Sequence, residues 1–482
     1  MSLTELLLPA EVERIHDAST EILDEVGLLV RNERARDLFA SRGCWVDSQT
    51  AIVKIPRRVV EEHRALFVPT FIFSGRDPAF DRTLPDHRPV IVTGSSAPNI
   101  IDPVTGVERR ATSSDIANIA FLINELKGYD VFSISTLAAD APEGQFSLSR
   151  FYPALKNCLK PVRSNTPNMA DLKDVLELGY LIAGSKEAYR AHPFINHHYC
   201  PVVSPLTMDV ESTEAVMHLT REKLPVYGTV VPNGGITAPM TLAGTLAIGN
   251  AEFLAIGVMQ QMIEPGTPLI YAVLSTVADM RSGAYAPGGI ETAILQMAHT
   301  QLARYYGVPS GGYIGLTGAH CNDAQSGYET GMGTTAALLA GTDLFNMGGL
   351  LSSLMAFDYA KAVIDDEIAL MLKRLRRGIE FSEKSLALDL IKEIGPGGGY
   401  MDAAHTLEHM RVTALFPDIA TRHMRELWKA QGEEDSASRA LKKAREILQR
   451  DNPAVFSDET DRRIRKRFQG LVAGDVDASS LQ

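Results

Sequence analysis

Residues 308–331 read VPSGGYIGLTGAHCNDAQSGYETG, and three kinds of local structure follow one another within them. Pro309-Ser310-Gly311-Gly312 is a breaker cluster, residues 313–316 form a short apolar run suited to a strand, and an apolar helical pattern begins near Tyr328. Between them, residues 317–326 hold His320, Cys321, Asn322, Asp323 and Gln325. A strand, a loop loaded with donors, acceptors and an imidazole, and then a helix make one βα unit. In a closed parallel barrel such loops build the active face. The plainer reading is a surface loop that caps a helix through Asp323 or Ser326.

Outward from this stretch the same unit recurs. Strand candidates at 90–94, 131–137, 161–165, 194–199, 226–231, 269–275, 313–316 and 344–348 are each followed by a helical pattern. The pattern at 112–126 places Ile116, Ile119, Ile123 and Leu126 on one face, with Thr112 and Asp115 spaced as a capping box. The last pattern stripes Ile364, Ile368, Leu372 and Leu375 and stops at Gly378. Eight such pairs over residues 89–378 match the size and repeat number of a TIM (β/α)8 barrel, so the expected fold class is α/β. An open doubly wound sheet would need a glycine fingerprint after an early strand, and Gly94-Ser95-Ser96-Ala97-Pro98 is not one.

Two flanks complete the expected organisation. Residues 1–88 read as an N-terminal α/β extension with helices near 9–26 and 32–41, a strand at 51–55 and a helix begun by Pro56. Residues 379–482 read as a C-terminal helical extension broken at Gly395-Pro396-Gly397-Gly398-Gly399, charged and amphipathic from 422 to 468 and frayed over its last dozen residues.

A hydrophobic content of 45% with 22% charged residues is that of an ordinary globular chain, which argues against disorder and coiled coil. The net charge of −12 gives no basic footprint for nucleic acid or an anionic membrane. The uncharged run at 226–251 is interrupted by Pro232, Gly234, Gly235 and Pro239, so no membrane span is expected. Four scattered cysteines do not make a secreted disulfide scaffold, and a cytoplasmic location is the expectation.

Strand parity selects the side chains that face a barrel lumen. The polar parity is Ser133 and Ser135, then Arg163 and Asn165, then Asn196 and His198, then Asn346. Buried polar groups need partners, so a polar lumen points to a ligand cavity or to an internal hydrogen-bond network. His198, Cys200 and Cys321 form a rival set, a zinc triad with an open position, whose plain alternative is buried structural cysteines. His405 and His409 share a helical face, but HTLEH lacks the glutamate that the metalloprotease motif places beside the first histidine. No serine elbow, Walker loop, kinase signature or CxxC pair is present.

GYIGLTGAHCNDAQSGYETG (312–331), with its Asp323-Ala324-Gln325-x-Gly327-Tyr328-Glu329 core, and GPGGGYMDAAHTLEHMR (395–411) resemble the trimethylamine methyltransferase family. The resemblance implies a TIM barrel that moves a methyl group from a methylated amine to the Co(I) centre of a separate corrinoid protein. The barrel itself then holds no cobalamin tightly and no metal, and a homo-oligomer is expected. Family members acting on trimethylamine carry pyrrolysine, whereas this chain has only the twenty standard residues. That makes it similar to the glycine betaine and other quaternary-amine enzymes, because a quaternary ammonium departs as a neutral amine without further activation. A non-catalytic betaine-binding protein is the remaining alternative. Aromatic faces hold quaternary ammonium groups. Tyr271 and Tyr328 are the preferred cage residues, with Tyr199 and Phe345 of the opposite parity as weaker candidates. Donors for a carboxylate are Arg163, Asn165 and His198, and Asn196, His320, Asp323, Gln325 and Asn346 complete the candidate substrate site.

Overall fold

The computed structural model describes residues 3–481. Eight short strands form one parallel sheet: β1 (Val90–Val92), β2 (Phe132–Ser133), β3 (Val162–Ser164), β4 (Ile195–Tyr199), β5 (Val226–Val230), β6 (Tyr271–Val273), β7 (Ser310–Tyr313) and β8 (Leu344–Asn346). Each pairs with its neighbour in sequence, and β8 pairs with β1, with Val92 opposite Asn346. Parallel bridges from Val92 to Val131 and from Ala97 to Thr136 join β1 to the β2 segment and close the ring. The helices α1 (Ser113–Glu125), α2 (Leu148–Asn157), α3 (Met169–Ala183), α4 (Glu211–Arg221), α5 (Leu242–Ile263), α6 (Ile290–Tyr306), α7 (Ala324–Ala340) and α8 (Tyr359–Arg377) follow the strands in turn. The result is a (β/α)8 barrel.

Local chemistry sets the boundaries. At α1, Thr112 accepts from the Asp115 amide while the Asp115 carboxylate accepts from the Thr112 amide, and Arg109 clamps that carboxylate at 2.7 and 2.9 Å. Helix α8 ends at Gly378. One strand differs from the sequence expectation: β7 is Ser310–Tyr313, three residues early and inside the supposed breaker cluster. Its glycines answer to packing. A Cβ on Gly312 would stand 1.8 Å from Gln296 Oε1, so glycine leaves that buried amide of α6 its place against β7. The chain turns out of the strand at Gly315, whose φ of +85° suits glycine.

The N-terminal segment covers two surfaces of the barrel. Helices Pro9–Glu21, Glu33–Ser41 and Arg57–Arg64 pack on α5. That explains why α5 is apolar on every side: at 22 residues and mean hydropathy 1.5 it is the one helix among the described residues apolar and long enough to cross a membrane, and it is mostly buried in protein. The hairpin Phe71–Phe73 and Arg82–Leu84 plugs the barrel floor, where Phe71, Phe73 and Leu84 meet Val90, Val131, Tyr227 and Leu344. Strand Leu28–Val30 pairs with Thr207–Met208, so the loop after β4 joins the N-terminal sheet.

Glu252 on α5 pins that loop, accepting from Ser204 Oγ at 2.6 Å and the Leu206 amide at 2.8 Å. Burial pushes its carboxyl up from 4.5 to about 7, against those two hydrogen bonds. A carboxyl raised in the folded state favours folding fully below the unfolded value, and that contribution fades as pH rises through the folded value. Glu252→Gln is therefore expected to flatten the loss of stability between about pH 5 and 8, and to gain on the order of 2–3 kcal/mol over the parent near pH 8. Urea midpoints at both ends of that range measure it; parallel curves for the two proteins contradict the assignment.

Past α8 the chain leaves the barrel for residues 379–416, then returns where Glu367 of α8 accepts from the Ile419 and Ala420 amides. Helix Ser436–Leu448 buries Ala440, Ala444, Ile447 and Leu448 against α8 and α1. The end of the described chain is packed rather than frayed: Asn118 Nδ2 donates to Asp477 O and Ser480 Oγ, Lys156 pairs with Asp475 at 2.6 Å, and Leu481 is buried.

Candidate active site

The lumen-facing positions follow from register. Ser133, Arg163, Asn196 and His198, Tyr227 and Thr229, Ala272, Gly311 and Tyr313, Leu344 and Asn346 share the parity that meets the floor cluster. Among the described residues these positions carry one cation, Arg163, and no carboxylate. Arg163 is buried; it donates to Ser133 Oγ at 3.0 Å and to the Tyr227 hydroxyl, and its guanidinium lies 5.9 Å from the Tyr227 ring centre. Tyr227 stands edge-on over Phe71 at 5.5 Å and stacks under His198 at 6.1 Å. A fixed cation thus sits directly above an aromatic floor.

Tyr313, at the upper end of β7, reaches Ser95 Oγ at 3.5 Å. Tyr285, on the loop after β6, lies close enough to Tyr313 and Cys200 for both to raise its pKa, and Tyr313 does the same for Tyr227. Burial is the larger cause in each, so all three phenols stay protonated at neutral pH. Cys200 donates to or accepts from Thr229 Oγ1 at 2.9 Å, and burial pushes its thiol up as well. Yet Cys200 keeps accessible surface, and Tyr313 and Tyr285 keep some. Desolvated groups that stay accessible thus gather at the barrel mouth. Three polar atoms near it, His198 Nδ1, Asn346 Oδ1 and the Tyr285 hydroxyl, are buried without a hydrogen-bond partner, and such atoms suit a polar ligand or water. His198 is held neutral: burial first, then Arg163, Arg150 and His197, all lower its pKa.

Arg163, His198 and Asn346 face the lumen, where parity places them, and half-buried Asn165 follows β3 at its upper end. Asn196 serves the floor instead. It faces the lumen at floor level, where its amide donates to Ser74 O and Phe194 O and ties down the hairpin. Tyr271 points away from the lumen, into a network with Asn250 Oδ1 at 3.0 Å, His299 Nδ1 at 3.3 Å and the Phe253 ring at 4.4 Å. Tyr199 and Phe345 likewise face the helix layer, as their parity requires. Tyr328 is exposed on α7, beside Ile290 and Met332, outside the lumen.

The loop from 317 to 326 is a rim element with most of its polar side chains hydrogen-bonded, Asn322 Oδ1 being buried without a partner. Asp323 caps α7 by accepting from the Ser326 amide, His320 Nδ1 meets Ser352 Oγ at 2.8 Å, and Gln325 donates to Glu329. Glu329 in turn accepts from Thr317 and the Gly318 amide. Cys321 is exposed on this loop, and among the described residues no three His, Cys, Asp or Glu groups are close enough to hold one ion, so His198, Cys200 and Cys321 do not form a triad.

The walls that sequence reading missed are Tyr227, Tyr313 and Tyr285. Tyr227 carried a signal, since it alternates with Val226 and Gly228 on an assigned strand; Tyr285, deep in a loop, carried none.

The profile of the family described as trimethylamine methyltransferase (MTTB) matches residues 1–469. The trimethylamine methyltransferase MttB of Desulfitobacterium hafniense is 30% identical over 449 residues, covering 93% of this chain and 90% of that protein. A glycine betaine methyltransferase of Desulfitobacterium hafniense is 31% identical over 462 residues, covering 95% of each. The crystal structure of the Methanosarcina barkeri monomethylamine methyltransferase is similar at 12% identity and a TM-score of 0.49, over 91% of this chain and 92% of that one. The chain belongs to the trimethylamine methyltransferase family, a family of methyltransferases.

Proposed function

We propose that this methyltransferase takes a methyl group from a quaternary amine that also bears a carboxylate, such as glycine betaine, and delivers it to the Co(I) centre of a separate corrinoid protein. The observation that carries this reading is the lumen: the neutral tyrosines Tyr285 and Tyr313 at its mouth, the buried Arg163 guanidinium beside Tyr227 at its base, and no carboxylate among the lumen-facing strand positions. A bare cationic amine would meet Arg163 with no anion to offset it. A zwitterion places its carboxylate toward Arg163 and its ammonium among the rings, satisfying both ends. Co(I) supplies the nucleophile; the N–CH3 bond breaks with its electron pair left on nitrogen, so the product amine is neutral and needs no proton from the protein. The chain's own part is to orient the methyl toward the mouth and exclude water.

A cobalt centre on another protein must approach the C-terminal rim. There the loops after β5, β6 and β8 expose Ile236, Met240, Met280 and Met355, and the Met240 and Met280 sulfurs meet beside Gly235. Flexible methionine side chains of this kind make an adaptable apolar docking rim.

Tyr285→Leu keeps bulk and loses the ring. Calorimetry is expected to show glycine betaine bound about 2- to 30-fold more weakly by the variant, the ~0.5–2 kcal/mol of one cation–π face, while 3,3-dimethylbutanoate, the anion with an uncharged tert-butyl head in place of the ammonium, is bound equally by both proteins. Equal losses for the two ligands, or no betaine binding by the parent, would overturn the assignment.

A further inference from the structure

The GPGGGYMDAAHTLEHMR motif is not used by the barrel. It lies in the excursion at residues 379–416, whose helices Leu388–Ile394 and Ala404–Thr413 bury no residue at all. Eleven large hydrophobic side chains in this stretch are exposed, among them Ile379 (92%), Phe381 (79%), Met401 (87%), Leu407 (66%) and Phe416 (60%). No other part of the chain leaves such a run uncovered. Isolated exposed apolar residues are ordinary, but a contiguous set is a contact surface. At on the order of 100 Å² for each side chain of this size, the eleven offer roughly 1,000 Å², comparable with the ~800 Å² that one partner gives a stable interface.

We infer that residues 379–416 form an arm that packs against a second copy of this chain. Position argues against the methyl-accepting protein as its occupant. The arm leaves from the C-terminal end of α8, which is the floor end of the barrel, and is rooted there by Arg374 and Arg377, which donate to Thr413 O and Val412 O. The barrel mouth is at the opposite end. Charge favours a copy. The arm carries six carboxylates against three lysines and arginines, while the barrel side of the depression at its root is lined by His87, Arg88, Lys373, Arg374 and Arg377. A two-fold axis brings each acidic arm to the other copy's basic root, the self-complementary contact that an isologous dimer requires. Gly395, at φ +66°, and Gly397, at φ +82°, let the chain fold back between the two arm helices.

Sedimentation of the full chain at micromolar concentration is expected to give a dimer or a multiple of it, and the triple variant Ile379→Ser, Phe381→Ser, Met401→Ser a monomer with an unchanged far-ultraviolet spectrum. Amide exchange supplies a second readout: peptides from 379–416 of the unaltered protein should become protected as concentration rises, while barrel peptides do not change. A monomeric parent, a variant that keeps the parent's oligomeric state, or arm peptides that exchange freely at every concentration would overturn the inference. So would a monomeric parent whose arm is protected only by the corrinoid protein. None of these readouts depends on the amine substrate.

Discussion

Arg163→Met is expected to weaken glycine betaine binding by about 30-fold to several thousand-fold, the ~2–5 kcal/mol lost when one partner of a buried charge pair is truncated. Methionine approximates the aliphatic stem and leaves Ser133 Oγ and the Tyr227 hydroxyl without their donor. The choice of ligand separates recognition from general damage. Choline has the same trimethylammonium head and no carboxylate, so in the parent it meets an unneutralised Arg163. In the variant that repulsion is gone, and choline should bind as well as before or better. Calorimetry with both ligands gives opposite signs if Arg163 reads the carboxylate. Equal loss of both would place Arg163 in the structure of the lumen only.

Lys361→Met is expected to cost stability more than any other single change outside the lumen. Lys361 is buried in α8, where its ammonium pairs with Asp365 and donates to Thr330 Oγ1 of α7 at 2.9 Å. Asp365 also accepts from the Gly349 amide at 2.9 Å, so the pair ties α7, α8 and the loop after β8 into one unit beneath the rim. Burial already pushes the Asp365 carboxyl up against the pull of Lys361. Removing the lysine leaves that carboxyl without a counter-charge, at a cost of about 3–5 kcal/mol, or a fall in Tm of roughly 3–5 °C for a chain of this length. Lys361→Met with Asp365→Leu should recover much of the loss, because an apolar pair replaces a buried ion pair at little cost. A single variant that melts with the parent would mean the pair contributes nothing.

Periodicity carried the barrel, and the reason is physical. Each βα unit repeats a short buried strand and a longer helix that turns apolar residues to the sheet, so the pattern appears eight times. The Thr112 and Asp115 box and the Gly378 stop set their helix ends by local hydrogen bonds and backbone freedom, and such determinants are visible in a short window. The β7 strand was misplaced because Gly311 and Gly312 break strands by propensity, while their place here is set by the nearness of Leu344 and Gln296 from other units. The site divides the same way. Arg163, His198 and Asn346 were legible from parity. Tyr271 lies on a lumen strand, but its parity turns it toward Phe253 and His299. Tyr285 comes near Tyr313 and Cys200 only through the path of a long loop, which no period describes.

Methyl transfer itself is the most direct test. Purified protein is mixed with a reduced corrinoid protein and glycine betaine, and Co(I) loss is followed by absorbance while the amine product is quantified. The expected result is loss of Co(I) matched one for one by dimethylglycine, with trimethylamine inert under the same conditions. Demethylation of trimethylamine in preference to glycine betaine, or betaine bound in the lumen with no methyl ever reaching cobalt, would contradict it.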